Sequence, residues 1–227
     1  MNYTIWIGDD RCVIYKPDFG IVLNTKTELM GGGRVDVARA RAFLVDAMKR
    51  LDTRRSTQFT FLTPVELTES ELNEYKQVAY TSGMHNVQFV PAVVWVGNGL
   101  VVFIGEGSTD VALVHNGKVL RSIRTVGLSA AKFGIDNKAF ADLATLFAVD
   151  ITPGAENIRM AIEPTFKKIV SKVKSLLRVT EPELLTNIVN GNVLICAPFI
   201  NLPGLRQFFS RELEIDVRLV DCFPDAT

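Results

Sequence analysis

Short apolar runs alternate with amphipathic stretches along this chain, and turn residues separate them. The opening stretch NYTIWIGDDRCVIYKPDFGIVLN breaks its apolar runs with Asp-Asp and Pro-Asp-Phe-Gly, which predicts two or three short strands. GGGRVDVARARAFLVDAMKRLDT follows with helical spacing. Asp36 is placed to cap a helix whose apolar face is Val37, Ala40, Phe43, Leu44, Ala47 and Met48. TQFTFLTP reads as a strand ending at Pro64. In TESELNEYKQVAYTSG, Thr68 and Glu71 form a Thr-x-x-Glu capping box, and Gly83 closes the helix. VQFVPAVVWVG and LVVFIG are apolar enough to be central strands of a covered sheet.

A hairpin at Asn116-Gly117 leads into VLRSIRTVG, and KAFADLATLFAV reads as helical. GAENIRMAIEPTFKKIVSKVKSLL repeats apolar residues at Ile158, Ala161, Ile162, Phe166, Ile169, Val170, Val173, Leu176 and Leu177, with a break or kink expected at Pro164. Its lysines form the solvated side of a packed helix. PELLTNIVNG runs into the buried strand NVLICAPF, then the helix LPGLRQFFSREL and a final strand DVRLVD. Strands alternating with helices define an α/β protein. The strand–hairpin–strand–helix pattern begins at Ile5 and again at Val101, a sign of internal duplication.

The chain has 227 residues, 48% of them hydrophobic and 22% charged, enough for one large domain or two smaller ones. Lys+Arg and Asp+Glu both number 25, so nothing in the balance points to nucleic acid or an anionic membrane as main partner. Neutrality does favour self-association. Cys12, Cys196 and Cys222 are far apart, and with no Cys-x-x-Cys pair a zinc site is not expected; each reads as a small buried hydrophobe. His85 and His115 sit in turns, and RLDTRR at Arg50 to Arg55 reads as a helix C-terminus countering its dipole. The N-terminus lacks a signal-peptide pattern, and no apolar run is long enough to span a membrane, so the expected location is the cytoplasm.

VVFIGEGSTDVALVHNGKV, Val101 to Val119, joins two strands through a Gly-x-Gly-Ser-Thr turn of the kind whose backbone N–H groups cradle phosphate. A lone turn of this type is weak evidence. Several segments in order, however, resemble the bacterial actin family MreB: GIVLN at Gly20 to Asn24, TPVELTESELNEYKQVAYTSGMHNVQFV, the turn just quoted, GAENIRMAIE, and KKIVSKVKSLLRVTEPELLTNIVNGNVLICAPFINLPGLRQFF. The resemblance covers nearly the whole chain. It implies an actin-like, ribonuclease H-like fold of duplicated mixed sheets with flanking helices. It also implies two large subdomains, IA-like over 1–100 and IIA-like over 101–227. The family's two small subdomains have no counterpart here: TKTELMGGGRV bridges the first gap, and Glu163-Pro164-Thr165 the second.

Where the family places an aspartate in each phosphate loop to hold hydrated Mg²⁺, this chain has Trp6 and Phe103. Asp9, Asp10 and Glu106 would face a triphosphate, and Pro198 stands in the third glycine-rich turn. One unfavourable charge pair at about 4 Å costs roughly 1 to 4 kcal/mol. Glu71 matches the family's water-orienting glutamate and equally serves as the capping-box acid. Glu156 and Arg159 match the base-contacting pair and equally form a surface ion pair at helical spacing. The expectation is a non-enzymatic scaffold with no cofactor and no metal that self-assembles into filaments. Alternatives are an adaptor that binds an MreB-type filament or membrane complex without polymerising, and a divergent ATPase.

Overall fold

The computed structural model describes residues 2–9, 11–31, 34–105, 107–128, 155–189, 193–197 and 204–223. The chain divides into two units: Met1–Ala92 with Phe223–Thr227, and Val93–Cys222.

In the first unit, β1 (Asn2–Ile7), β2 (Arg11–Lys16) and β3 (Gly20–Lys26) form an antiparallel meander. A small hairpin, β4 (Met30–Gly31) with β5 (Arg34–Val35), leads to α1 (Val37–Arg50). β6 (Gln58–Thr63), α2 (Glu69–Thr81) and β7 (Val87–Pro91) complete a five-stranded sheet in the order β3-β2-β1-β6-β7, with β6 and β7 parallel to β1. The Asp36 carboxylate accepts from the Arg39 N–H at 3.0 Å, as an N-cap should. The Thr68–Glu71 capping box forms in full, and Gly83 takes the left-handed conformation after α2.

Strand alternation splits the sheet's two faces. Tyr3, Ile5 and Ile7 join the α1 residues Ala40, Leu44 and Ala47 and the α2 residues Tyr75, Val78 and Ala79 in one core. Thr4 and Trp6, also buried, point to the opposite face.

The second unit repeats the scheme. It holds β8 (Gly99–Ile104), β9 (Ser108–His115), β10 (Lys118–Val126), α4 (Ala155–Arg178), α5 (Pro182–Val189), β11 (Val193–Cys196), α6 (Leu205–Leu213) and β12 (Arg218–Leu219). Its sheet order, β10-β9-β8-β11-β12, is the first sheet's order shifted along the chain, with antiparallel and parallel pairings in the same places. The expected duplication is therefore a duplication of topology. Leu100, Val102 and Ile104 face Phe166, Ile169 and Val173 of α4 and Phe208 and Phe209 of α6. On α4, Lys168, Lys172 and Lys174 lie exposed on the other side, and Lys167 pairs with Glu163 at 2.7 Å. Each fully buried aliphatic or aromatic side chain contributes about 1.5–3 kcal/mol by leaving water, so the two cores carry the fold.

Four expectations are corrected. VQFVPAVVWVG is not one strand: β7 ends at Pro91, and Ala92–Val96 form a short helix, α3. Proline offers no N–H to continue the ladder and sits here at the end of an edge strand. Pro164 does not break α4, which is continuous from Ala155 to Arg178. The final strand shrinks to Arg218–Leu219. Only Cys12 is a free buried thiol; Cys196 and Cys222 form a disulfide, because parallel β11 and β12 bring their ends to a Cα–Cα distance of 6.4 Å. The helix expected in KAFADLATLFAV lies outside the described residues.

Candidate functional site

The duplicated topology gives each unit one central strand that runs into a tight turn. Trp6 is the penultimate residue of β1 and Phe103 the penultimate residue of β8, so the two occupy the same place in the repeated design. Both point away from the helix-covered face.

In the first turn, the Gly8 N–H donates to the Arg11 carbonyl at 2.8 Å and closes the β1–β2 hairpin. Trp6 is only 6% exposed. Its six-membered ring lies directly over Gly8: a Cβ there would come within 2.8 Å of Trp6 Cη2. A side chain at this position would force the buried indole to shift. The Phe223 ring lies 6.1 Å from the Trp6 ring and 6.0 Å from Tyr15, which extends the aromatic cover. Asp9 is half-buried in this turn, and Asp10 lies outside the described residues.

In the second turn, the Gly105 N–H donates to the Ser108 carbonyl at 2.9 Å, and the Gly105 and Gly107 carbonyls accept from Leu128 and Gly127 at 2.9 and 3.1 Å. A Cβ on Gly105 would lie 2.9 Å from the Ser108 carbonyl oxygen, so close backbone approach demands this glycine. Phe103 is 4% exposed and stands in register with Asp110 on one side and Cys196 on the other. Asp110 is buried, and its carboxylate accepts from Arg124 Nε at 3.2 Å. A buried carboxylate requires such a partner, since removing one side strands a charge. The neighbouring Thr109 is fully buried, and its hydroxyl has no hydrogen-bond partner among the described residues.

Of the other site residues named from sequence, Glu71 serves its own helix. Its Oε2 accepts from the Thr68 N–H at 2.7 Å and the Thr68 hydroxyl at 2.6 Å. Glu156 and Arg159 lie one turn apart on α4, and Glu106 and Pro198 lie outside the described residues. Sequence reasoning missed Phe223, Tyr15 and the Asp110–Arg124 pair. The last had a signal: counting outward from the Asn116-Gly117 turn reaches Asp110 opposite residue 123, and a bulge between Val119 and Arg121 moves the pairing to Arg124. Among the described residues no cluster of three His, Cys, Asp or Glu side chains is arranged to hold a metal, and no helix is long and apolar enough to cross a membrane.

Two like-ordered mixed sheets, each with a glycine turn after its central strand, form an actin-like fold. A family model described as MreB/Mbl protein matches residues 141–225. The cell shape-determining protein Mbl of Bacillus subtilis (strain 168) is 23% identical over an alignment covering 70% of this chain and 62% of that protein, so the chain spans less than two thirds of this relative's length. Among solved structures, MreB5 of Spiroplasma citri bound to ADP superposes with a TM-score of 0.77 at 15% identity, covering 96% of this chain and 91% of that one. The MamK double helical filament gives 0.73 at 14% identity, covering 100% and 95%. EutJ, the ethanolamine utilization protein from Carboxydothermus hydrogenoformans, gives 0.66 at 18% identity, covering 96% and 83%. The chain has an actin-like fold, and the proteins it resembles are MreB-like.

Proposed function

We propose that this protein is a non-enzymatic cytoskeletal scaffold that assembles into filaments without nucleotide. The observation that carries the reading is the Trp6 indole over Gly8. Mg²⁺ is bound by oxygen ligands, usually carboxylates, phosphates and water. In this reading Trp6 and Phe103 stand where the family has its two metal-holding aspartates, and an aromatic ring offers no such ligand. The residues present do not fit a magnesium nucleotide. Their rings instead stabilise each turn from within its own unit, so assembly is not timed by hydrolysis. In this reading residues 1–100 are the IA-like and residues 101–227 the IIA-like subdomain, the protein acts in the cytoplasm, and any membrane association comes through partners. Self-assembly is supported by the filament formed by MamK, whose fold this chain shares.

The test has two arms. Thermal unfolding of the purified protein is expected to be unchanged by sub-millimolar Mg-ATP, and a shift of several degrees would overturn nucleotide independence. Negative-stain microscopy without nucleotide is expected to show filaments. Particles that stay small at high concentration would overturn self-assembly and favour an adaptor on another filament.

A further inference from the structure

The loop after α1 gathers cations that the fold does not use. α1 ends at Arg50, with Lys49 and Arg50 in its last turn, and Arg50 pairs with Asp46 at 2.5 Å. Those two residues counter the helix dipole, whose influence fades beyond the last turn. Arg54 and Arg55 lie further on, at the edge of its reach, and neither side chain has an ion-pair partner among the described residues. The reading of RLDTRR as a dipole-countering helix end therefore accounts for Arg50 and leaves Arg54 and Arg55 unexplained.

The loop that carries them is preformed. The Thr57 hydroxyl accepts from the Arg54 N–H at 2.8 Å, and the Thr57 N–H donates to the Arg54 carbonyl at 2.9 Å. Upstream, the Tyr3 hydroxyl donates to the Asp52 carbonyl at 3.2 Å. Arg54, Arg55 and His85, all exposed, rim a notch of about 260 Å³ whose lining includes buried Thr57 and Phe59 and half-buried Met48.

We propose that this notch docks an acidic segment of another protein. One carboxylate is held by the Arg54 and Arg55 guanidiniums, and an adjacent apolar side chain rests on Met48 and Phe59. Guanidinium is the cation whose fork matches a carboxylate, with two parallel N–H···O bonds. The volume lies below the roughly 300–1,000 Å³ of most small-molecule pockets and suits one or two side chains. A bare phosphate or lipid headgroup would satisfy the arginines and leave the apolar lining wet. Nucleic acid calls for an extended basic stripe, whereas here 25 basic residues are balanced by 25 acidic ones and the excess is local. The notch lies wholly within the first unit.

The probes are labelled synthetic peptides alternating aspartate or glutamate with leucine or phenylalanine, titrated against the full chain by fluorescence anisotropy at low salt. At least one is expected to bind saturably. The Arg54→Glu/Arg55→Glu double variant should weaken binding about tenfold or more, and Met48→Glu should weaken it as well. Asparagine and glutamine versions of the peptide should not bind. The arginine reversals should leave the melting temperature unchanged, because both side chains are exposed and have no ion-pair partner among the described residues. The proposal fails if no peptide binds below millimolar concentration, or if the double variant binds like the parent. It also fails if inorganic phosphate or vesicles with anionic lipid show the arginine-dependent binding in place of the peptides.

Discussion

Cys12 lies on β2 opposite Ile7, without solvent contact, and burial pushes its thiol up to about 12. In the unfolded chain the same thiol loses its proton near pH 8.5. Between those values the folded state binds more protons than the unfolded state, so stability is complete below the unfolded pKa and declines as pH rises. The slope is at most about 1.4 kcal/mol per pH unit. Urea midpoints measured from pH 8 to 11 should fall more steeply for the parent than for Cys12→Val; parallel slopes would contradict the burial. Tyr3, raised first by burial and then by the Asp52 charge, adds a similar trend at higher pH in both proteins. Trp6 and Gly8 show a limit of reading residues one at a time. The sequence places an aromatic residue two positions before a glycine, but only the folded turn shows the indole over that glycine.

At the scale of elements, local chemistry was legible where it is self-contained. The capping box of α2, the Asp36 cap and the Asn116-Gly117 turn, with φ of 50° and 70°, depend on residues within a few positions of each other. Proline plays two different parts here. Pro91 ends a strand and starts a helix inside an apolar run, and periodicity alone does not separate a buried strand from a short buried helix. Pro164 sits inside a continuous helix because the apolar face from Phe166 onward is locked into the core. It still leaves a helical carbonyl without its N–H partner. Pro164→Ala should therefore stabilise the protein by about 1–3 kcal/mol. Thermal melts would show it, and an unchanged or lowered midpoint would argue against a continuous α4.

Across the whole molecule, the disulfide is the feature furthest from a sequence expectation. Cys196 and Cys222 are 26 positions apart and meet only because β12 returns beside β11. Its neighbourhood is tied in further ways: Trp95 Nε1 donates to the Cys222 carbonyl at 3.0 Å, and the Val220 N–H donates to the Ile195 carbonyl at 2.9 Å. A cross-link over a loop of this length contributes about 3 kcal/mol. Thiol counting on the denatured protein should find one reactive cysteine before reduction and three after it, and reduction should lower the melting temperature by several degrees. Three thiols before reduction would exclude the bond.

The sequence by itself determined the α/β class, the repeated strand pattern and the helix caps. All of these follow from local periodicity and residue identity. Only the tertiary structure decided that the two halves share one strand order, that Asp110 is paired with Arg124, and that Cys196 meets Cys222. Those facts depend on sheet register and on parallel strands joined through long connections, where one bulge or one returning strand sets which side chains become neighbours.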